Sequence, residues 1–591
     1  MNRPSLLSLA LALPAFLVQS AAAADALPPA SQWTPQETVL TLEISRPEAL
    51  LDALLSPKLA EAVAAVPAYQ QLQATPKFRE FVGIITHLET QLGTDWRSAL
   101  RKLLGGGVEF AAGTGGETLL SVDAQDAKML EQLHDIFRAI VTGQAGQQGR
   151  VSSREHGGVT AWSFGPQDSH SIVGNRLLLA NRPRVLDAVL DLRAQPSGKG
   201  LASSPFYQAA KKAVGPDAVG LAFINMQALK QNPGLQQALA SGANPLTALL
   251  FAHQGKTLQQ ANWVAIGFYV RGDQLTLKVV TDGPAPDPAG PAGFATPRKP
   301  GEGILPNLDV PGRIAALSIY RDLHGFYAAK DALFPERTSG LIFFENMMGI
   351  FFSGMNLTEE VMGETQPEVR VVVAAQQYDP ALGTPAVQFP GFAAVFRLRH
   401  PQVFGPVVEE AWQKALGLVN FTRGQKALPG LVIDRPTYGD AQFSVASFRP
   451  PSKTDPAGLD ARYNFRPSLA RVGDYLVLSS TDSLAKELIG ALKKEAADRP
   501  APSKTDHSLL DLDGKQLTAI LNANRESMVR KSMVDKGSNR AQAEAETGLL
   551  FVVLDTLKQV RLSLGNEGGH PQAKLELKLK VPETKRSIAT R

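Results

Sequence analysis

The feature that most constrains this chain is a series of strand and helix patterns that occurs twice along it. An apolar strand pattern with a Gly-Asn turn near its start runs from Val173 to Leu179 and leads into a helical pattern. The same arrangement, with a Gly-Asp turn, runs from Val472 to Leu478. Four such pairs occur in the same order at offsets of roughly 275 to 300 residues, and a recurring order of this kind indicates repeated structural units. The chain is therefore predicted to be an internal duplication.

Each half also closes with a hairpin pattern in which apolar and polar residues alternate, as in strands with one buried face. The turns fall at residues 271–273 and 566–569, and glycine beside aspartate or asparagine is typical of hairpin turns. Helical patterns follow several of the strands in both halves. We therefore predict an α+β fold class: two diverged copies of an antiparallel-sheet-plus-helices unit in tandem.

A proline- and glycine-rich stretch near the middle of the chain separates the two series of patterns. Residues 283–303 hold six prolines and five glycines, a composition typical of an extended linker. The predicted organisation is a first α+β lobe at residues 25–282, this linker, and a second α+β lobe at residues 304–591. A cleft between the lobes is then the natural place for a binding site.

The N-terminus has the pattern of a secretory signal peptide, predicted to cover residues 1–24. A short positive region with Arg3 precedes an apolar stretch from Leu6 to Val18, and alanines at 21–24 supply small residues for cleavage. The apolar stretch is shorter than the roughly 20 residues that a membrane-spanning helix needs. The chain is therefore expected to be exported to the periplasm or the extracellular space, with no transmembrane span in its mature form.

Cysteine is absent from the sequence, which excludes disulfides, thiolate metal sites and a cysteine nucleophile. It also excludes the lipid-carrying cysteine that a bacterial lipoprotein needs after its signal. The formal net charge is only +4 over 591 residues. A nucleic-acid-binding protein normally carries a dense basic face, so nucleic acid is not expected as a partner.

The paired layout resembles a group of large exported bacterial proteins of unknown function, in which duplicated strand-helix units follow a signal peptide. The resemblance covers the whole mature chain and rests on the order of its strand and helix patterns. It implies a fold and an exported protein, and it brings no functional residues with it.

Sequence motifs for catalysis and cofactor binding are incomplete wherever they occur. No two of the nine histidines lie three or four residues apart, so the usual zinc-ligand spacing is absent. Gly255-Lys256-Thr257 imitates the end of a phosphate-binding loop, but its upstream glycine position is Leu250. Ser483 and Lys486 have the S-x-x-K spacing, and no K-T-G follows them. We therefore predict no catalytic residues, no cofactor and no metal site from motifs.

The most unusual segment of the mature chain is the apolar stretch 341–355, which is rich in phenylalanine and methionine. Such residues form adaptable surfaces for apolar partners. One interpretation is a buried helix of the second half, and the other is an exposed amphipathic helix that binds lipid, an acyl chain or another protein. The first half has no comparably apolar segment at this place. The candidate contact residues are Phe343, Phe344, Met347, Met348, Phe351, Phe352 and Met355.

Three functions are compatible with these patterns. The first is an exported, non-catalytic protein for binding, scaffolding or envelope assembly, whose partner is an envelope protein or a lipid. The second is a glycan-directed envelope hydrolase with dispersed carboxylates, because paired carboxylates meet only in the folded protein and leave no sequence spacing. The third is a carrier of lipid or another apolar ligand.

Overall fold

The computed structural model describes residues 27–55, 73, 75–144, 151–165, 168–195, 198–231, 245–251, 254–297, 299, 301–450 and 459–580. The predicted signal peptide therefore lies outside the described residues. The protein is 44% helix and 29% strand and is built on a large antiparallel sheet, which confirms the α+β fold class.

The first half contributes ten of the described strands to the sheet. They are β1 (Leu40–Ile44), β2 (Gly107–Ala112), β3 (Thr118–Asp123), β4 (Ser152–His156), β5 (Val159–Ser163), β6 (Ser169–Val173), β7 (Arg176–Ala180), β8 (Gly220–Asn225), β9 (Trp263–Arg271) and β10 (Gln274–Thr281).

Helices connect these strands, and most of them begin at a proline or after a capping side chain. For example, the Thr75 hydroxyl accepts a hydrogen bond from the Phe78 amide at the start of the second helix. The helices are α1 (Pro47–Leu54), α2 (Pro76–Leu92), α3 (Trp96–Leu104), α4 (Ala127–Gln144), α5 (Pro183–Ala194), α6 (Pro205–Val214), α7 (Met226–Leu229), α8 (Pro245–Phe251) and α9 (Gln254–Gln260).

The second half contributes eleven described strands. They are β11 (Arg313–Tyr320), β12 (Thr365–Ala374), β13 (Gly391–Leu398), β14 (Leu431–Asp434), β15 (Thr437–Tyr438), β16 (Ala441–Phe448), β17 (Ser468–Val472), β18 (Tyr475–Ser479), β19 (Asp506–Asp513), β20 (Leu557–Glu567) and β21 (His570–Leu579).

The helices of the second half include longer ones than those of the first. They are α10 (Leu323–Ala328), α11 (Lys330–Leu333), α12 (Thr338–Phe351), α13 (Pro401–Gln425), α14 (Asp482–Asp498), α15 (Gly514–Ala523), α16 (Arg525–Lys536) and α17 (Arg540–Thr556). A π-helical turn at Leu357–Val361 follows α12.

The strand pairings give each half its own order, and every ladder between the described strands is antiparallel. In the first half the order is β4-β5-β6-β7-β3-β2-β1-β8-β9-β10. In the second half it is β14-β16-β17-β18-β13-β12-β11-β19-β20-β21, with the short β15 also paired to β16. Apart from β15, the two orders correspond strand for strand.

The two halves join edge to edge through β10 and β21. Leu277 lies opposite Leu575 in this antiparallel pair, which extends from Gln274 to Val280. The halves therefore form one continuous sheet at this joint, where the sequence had suggested two lobes with a cleft between them. The joint could not be read from the sequence, because its partners lie about three hundred residues apart and edge pairing leaves no local signal.

The sheet has a back face on which helices α5, α6 and α14 pack tightly. Leu186 and Leu190 of α5 are fully buried against Leu178 of β7. In the second half Leu488 of α14 is fully buried against Val477 of β18. Both helices place apolar residues three and four positions apart, which forms one buried stripe.

The opposite, front face of the sheet carries a different set of helices. In the second half, α10, α12 and α13 pack over β17 and β18 around Leu469 and Leu476. In the first half α4 lies on this face, since its His134 contacts His170 of β6, and α7 and α9 pack on Val264 of β9.

The described residues of the proline-rich stretch 283–303 have little regular structure, but part of the stretch is packed. A 3₁₀ turn at Gly293–Ala295 is buried, and the Phe294 ring lies 4.9 Å from the Phe326 ring, measured between centroids. The Phe294 carbonyl also accepts a hydrogen bond from the Asp322 amide, at 2.8 Å. One aromatic side chain thus anchors this segment to the second half.

Candidate functional site

A continuous apolar row crosses the front face of the sheet. It passes through sixteen neighbouring strands, and the register places one residue of each strand side by side. Because neighbouring strands lie about 4.8 Å apart, the row extends for about 70 Å along the sheet. Its members are Ile172, Leu177, Val122, Val108, Ile44, Gly220, Phe268, Leu277, Leu575, Leu562, Leu510, Leu317, Val371, Ala394, Leu478 and Leu469.

The central members of this row are half-buried although they lie in the middle of the sheet. This holds for seven successive strands, from β9 to β12. On the back face of the four middle strands, β10, β21, β20 and β19, the side chains are largely charged or polar, and Lys574 and Arg561 there pair with Glu576 and Asp511. On the back face of β9, β11 and β12, by contrast, Ala265, Ala316 and Val372 are buried. The middle of the sheet therefore has one largely polar face and one apolar face whose side chains keep part of their surface accessible. The seven residues are Phe268, Leu277, Leu575, Leu562, Leu510, Leu317 and Val371.

The seven candidate contact residues of the apolar segment divide between two sides of α12 and the turn that follows it. On the inner side Phe344, Met348, Phe352 and Met355 pack on the cluster that contains Tyr327 and Phe404. Phe343 is 71% exposed on the outer side, Met347 is also exposed, and Phe351 is half-buried. The inner side of α12 therefore matches the interpretation as a buried helix, and the outer side matches the interpretation as an exposed amphipathic helix.

The outer side of α12 includes two residues that the sequence analysis did not select. Ile350 is 70% exposed and Ile342 is also exposed. Together with Phe343 and Met347 they form a set whose successive members are one, four and three residues apart, which places all four on one side of a helix. The periodicity was visible in the sequence, but a segment that is apolar all round does not reveal which stripe packs inward.

The first half also has a helix with exposed apolar side chains at the corresponding place along the chain. Helix α2 lies between β1 and β2 as α12 lies between β11 and β12. It is less apolar overall, yet it exposes Phe81, Val82 and Ile84. Both helices are followed by a glycine at positive φ, Gly93 and Gly354. Charged residues are interleaved with the apolar residues of α2, so its composition does not mark it as an apolar segment.

Replacing residues on the two sides of α12 is expected to have opposite consequences for stability. The substitution Phe344→Ser removes a ring from a packed cluster and should lower the free energy of unfolding by about 2 to 3 kcal/mol. Phe343→Ser should change it by less than about 0.5 kcal/mol, because the ring is exposed. Urea denaturation followed by circular dichroism measures both values, and equal losses would contradict the orientation of α12.

A second candidate site is a cavity of about 780 Å³ beside α14 on the back face of the second half. Arg370, buried next to it, forms two hydrogen bonds with Glu495, of 2.6 and 2.9 Å, and an ion pair with Glu368. Burial raises the pKa of Glu368, although the guanidinium of Arg370 opposes this. Both carboxylates are bound to one guanidinium, an arrangement typical of a structural ion pair rather than of an acid and a base that exchange protons.

The histidines that could suggest a metal site have other partners. The Asp191 carboxylate accepts a hydrogen bond from Nε2 of His156 at 2.8 Å, whereas His170 lies 3.1 Å from His134, measured between the Nε2 atoms. Burial, and then the neighbouring His134, lowers the pKa of His170 to about 4. Within the described part of the chain, no group of three or more histidine, aspartate or glutamate side chains is arranged to hold a metal ion.

None of the described helices combines the length and the apolar character that crossing a membrane requires. This finding concerns spanning helices alone. The exposed stripes of α2 and α12 are shorter and are backed by packed residues.

Comparison with known proteins places the first half near a family without an assigned activity. Residues 68–297 match the model of the family described as "Protein of unknown function (DUF3352)". This agrees with the resemblance to proteins of unknown function, and it covers less than half of the chain. No curated protein matches the chain.

Solved structures with detectable similarity include three crystal forms of a protein named TP0453. Form III has a TM-score of 0.22 at 8% identity and covers 46% of this chain and 85% of that chain. Form I has a TM-score of 0.21 at 8% identity and covers 44% of this chain and 81% of that chain. Form IV has a TM-score of 0.21 at 9% identity and covers 43% of this chain and 81% of that chain. Similarity at this level carries no inference about fold or function.

Proposed function

We propose that this chain is an exported, non-catalytic binding protein, built from two diverged copies of one unit, that holds hydrocarbon chains of lipids against the front face of its sheet. The apolar row across sixteen strands carries this proposal. Its export rests on the sequence of residues 1–24. The proposed duplication is supported by the matching strand orders of the two halves and by the glycine turns at Gly174 and Gly473, whose φ angles are 59° and 56°.

The chemistry of the front face favours a hydrocarbon ligand. The backbone N–H and C=O groups of these strands are paired within the sheet ladders, and the row offers no side-chain donor or acceptor. A sugar or a polar head group placed there would lose its hydrogen bonds to water without replacement, which costs several kcal/mol. An alkyl chain has no hydrogen bonds to lose. Its binding is favoured by roughly 25 cal/mol of transfer free energy for each Å² of apolar surface removed from water.

The half-burial of the central row leaves apolar side-chain surface accessible to such a ligand. Leu277, Leu575 and Leu562 lie side by side at and next to the joint of the two halves, and each keeps part of its surface accessible. In the tightly packed back face, residues at comparable depth, such as Val477, are fully buried. The difference indicates incomplete packing between the sheet and its front helices, and an apolar ligand there stabilises the folded protein.

Binding can be tested with the full mature chain and a fluorescent anthroyloxy stearic acid. We expect Leu562→Gln to weaken binding roughly tenfold or more, because it places an amide in the middle of the apolar row. Ser563→Gln is the matched control, since Ser563 is the next residue of the same strand and points to the back face; it should bind as the wild type does. Equal affinities of the two variants would contradict the proposed site.

A second measurement keeps the proposal testable if Leu562→Gln does not fold. Organic extraction of the purified wild-type protein, followed by mass spectrometry, should yield fatty acid or phospholipid in a reproducible molar ratio. A wild-type protein that neither binds the stearic acid probe nor carries lipid would overturn the proposed function. Stable capture of an envelope protein that competes with the probe would assign the front face to a protein partner instead.

A further inference from the structure

A cavity of about 200 Å³ lies near the outer edge of the second half, between strands β16 and β17 and helix α13. Leu469, a member of the apolar row, forms part of its wall, and Ser444 lies opposite Leu469 in the β16–β17 pair. A site for a whole small ligand has roughly 300 to 1,000 Å³, so this cavity has room for one part of a larger molecule. Its charged and polar wall residues are Glu409, Arg435, Thr437, Gln442, Ser444 and Arg471.

Arg471 brings an unpaired positive charge to this cavity. Its side chain is half-buried and lies on the front face, because it is two residues from Leu469 on the same strand. Glu409, the carboxylate among the described wall residues, already has partners: it forms an ion pair with Arg435 at 3.2 Å and accepts a hydrogen bond from the Ser444 hydroxyl at 3.1 Å. Arg471 has no ion-pair partner within the described part of the chain. The wall therefore has one positive charge that is not balanced.

The fold accommodates this guanidinium but does not require it. Arg471 stands two residues before the turn glycine Gly473, and at the same distance before Gly174 the first half has Ile172. Gly405 of α13 is buried, and a Cβ atom there would lie 2.5 Å from Nη1 of Arg471. Glycine is unfavourable inside a helix. Its presence at this position lets the guanidinium lie against the backbone of α13.

We infer that the cavity binds the anionic head group of a lipid, a carboxylate or a phosphate ester, through Arg471, while the alkyl chain lies on the apolar row. The inference rests on the proposed function, because the row supplies the contacts of the chain. A guanidinium binds such oxygens with two parallel, charge-assisted hydrogen bonds. Thr437 and Gln442 add a hydroxyl and an amide as neutral donors in the same wall. A quaternary ammonium head group would instead place a second positive charge beside Arg471.

The apolar row continues from the cavity toward the centre of the sheet. Leu469 pairs with Leu478, and the next strand places Ala394 beside Leu478. Met348 and Phe352 on the inner side of α12 belong to the cluster that covers this part of the row, and methionine adapts its shape to a ligand. From β17 to β11 the row crosses four strand steps, about 19 Å. A lipid held at Arg471 therefore directs its chain toward the half-buried middle of the row.

Binding of two probes to the full mature chain tests this site. The probes are anthroyloxy stearic acid and its methyl ester, which share the alkyl chain and differ in charge. The wild type should bind the acid roughly tenfold more tightly than the ester, because the guanidinium can pair with the carboxylate alone. Arg471→Gln should weaken binding of the acid roughly tenfold and leave the ester unchanged. Lys426→Gln is the matched control, since it removes a positive charge from the exposed C-terminal end of α13 and should change neither affinity.

The outcomes separate this inference from the proposed function. If the wild type binds the acid and the ester equally well, the head-group site is wrong and the proposed function stands. If the wild type binds neither probe, the proposed function itself fails. An affinity for the acid that Arg471→Gln leaves unchanged places the head group elsewhere and overturns the inference.

Competition against the acid probe on the wild type distinguishes a lipid head group from a free anion, and it remains informative if Arg471→Gln does not fold. Displacement by lysophosphatidic acid, without displacement by the same concentration of inorganic phosphate, supports a lipid head group with either kind of anion. Equal displacement by inorganic phosphate would assign the cavity to a free anion and overturn the inference.

Discussion

Arg370→Met should be among the most destabilising single substitutions in the second half, lowering the free energy of unfolding by about 3 to 5 kcal/mol. The side chain of Arg370 is 1% exposed and neutralises two carboxylates that are themselves nearly buried. Methionine fills a similar volume but leaves Glu368 and Glu495 as uncompensated charges close to each other. Removing one partner of a buried ion pair has a cost of this size because the remaining charges stay in the interior.

Guanidinium denaturation of the wild type and the variant at neutral pH measures this loss. The triple variant with Glu368→Gln and Glu495→Gln is the control, and it should recover most of the stability, since replacing a whole buried ion cluster is often close to neutral. The single variant should also be less impaired at acidic pH, where its carboxylates can protonate. A loss below about 1 kcal/mol would mean that water reaches these carboxylates.

The parts of the fold that depend on neighbouring residues were predictable from the sequence. The alternation on either side of residues 271–273 placed the hairpin of β9 and β10, which the structure joins by a two-residue turn. Helical patterns were predicted after the strand patterns that end at Leu179 and Leu478, and α5 and α14 follow there, beginning at Pro183 and Asp482. Such elements follow from periodicity, turn residues and caps, which act within a few positions along the chain.

The extent of the sheet and its unequal faces were not predictable in the same way. The alternation of Leu557–Glu567 shows that one side of β20 is apolar, and it does not show what covers that side. Coverage depends on helices such as α12, whose position is decided by tertiary packing. The segment 341–355 was recognised as unusual, but its division into an inner and an outer stripe needed the position of the cluster around Phe404.

Buried charges were the other feature that sequence reasoning missed. Glu109 and Arg370 lie at equivalent places, on the second strand of each half and paired with the first strand. A charged residue within a strand is normally taken as solvent-exposed, because charge is rarely buried without a partner. Here Arg370 has two carboxylate partners, whereas Glu109 has the Thr34 hydroxyl, which donates a hydrogen bond to it. Both arrangements are formed by residues distant in sequence.

Glu109 should make the protein less stable as the pH rises from about 4.5 to beyond 7. Burial raises the pKa of Glu109 from 4.5 to about 7, although the Thr34 hydrogen bond opposes this. Its pKa is higher in the folded than in the unfolded state, so the folded state binds the proton more tightly. The stabilisation is complete below pH 4.5 and is lost as the carboxyl ionises, with a total change of about 3 kcal/mol for this group.

The substitution Glu109→Gln should remove this loss, so that the variant is more stable than the wild type at pH 8 and close to it at pH 4.5. The amide oxygen still accepts the hydrogen bond from Thr34, and no charge has to be buried. Glu37→Gln is the control, because Glu37 is exposed and its replacement should leave the pH dependence unchanged. Thermal unfolding at a series of pH values measures both variants against the wild type. If Glu109→Gln and the wild type lose stability in parallel between pH 5 and pH 8, the carboxyl is already ionised in the folded protein and water or a cation reaches it.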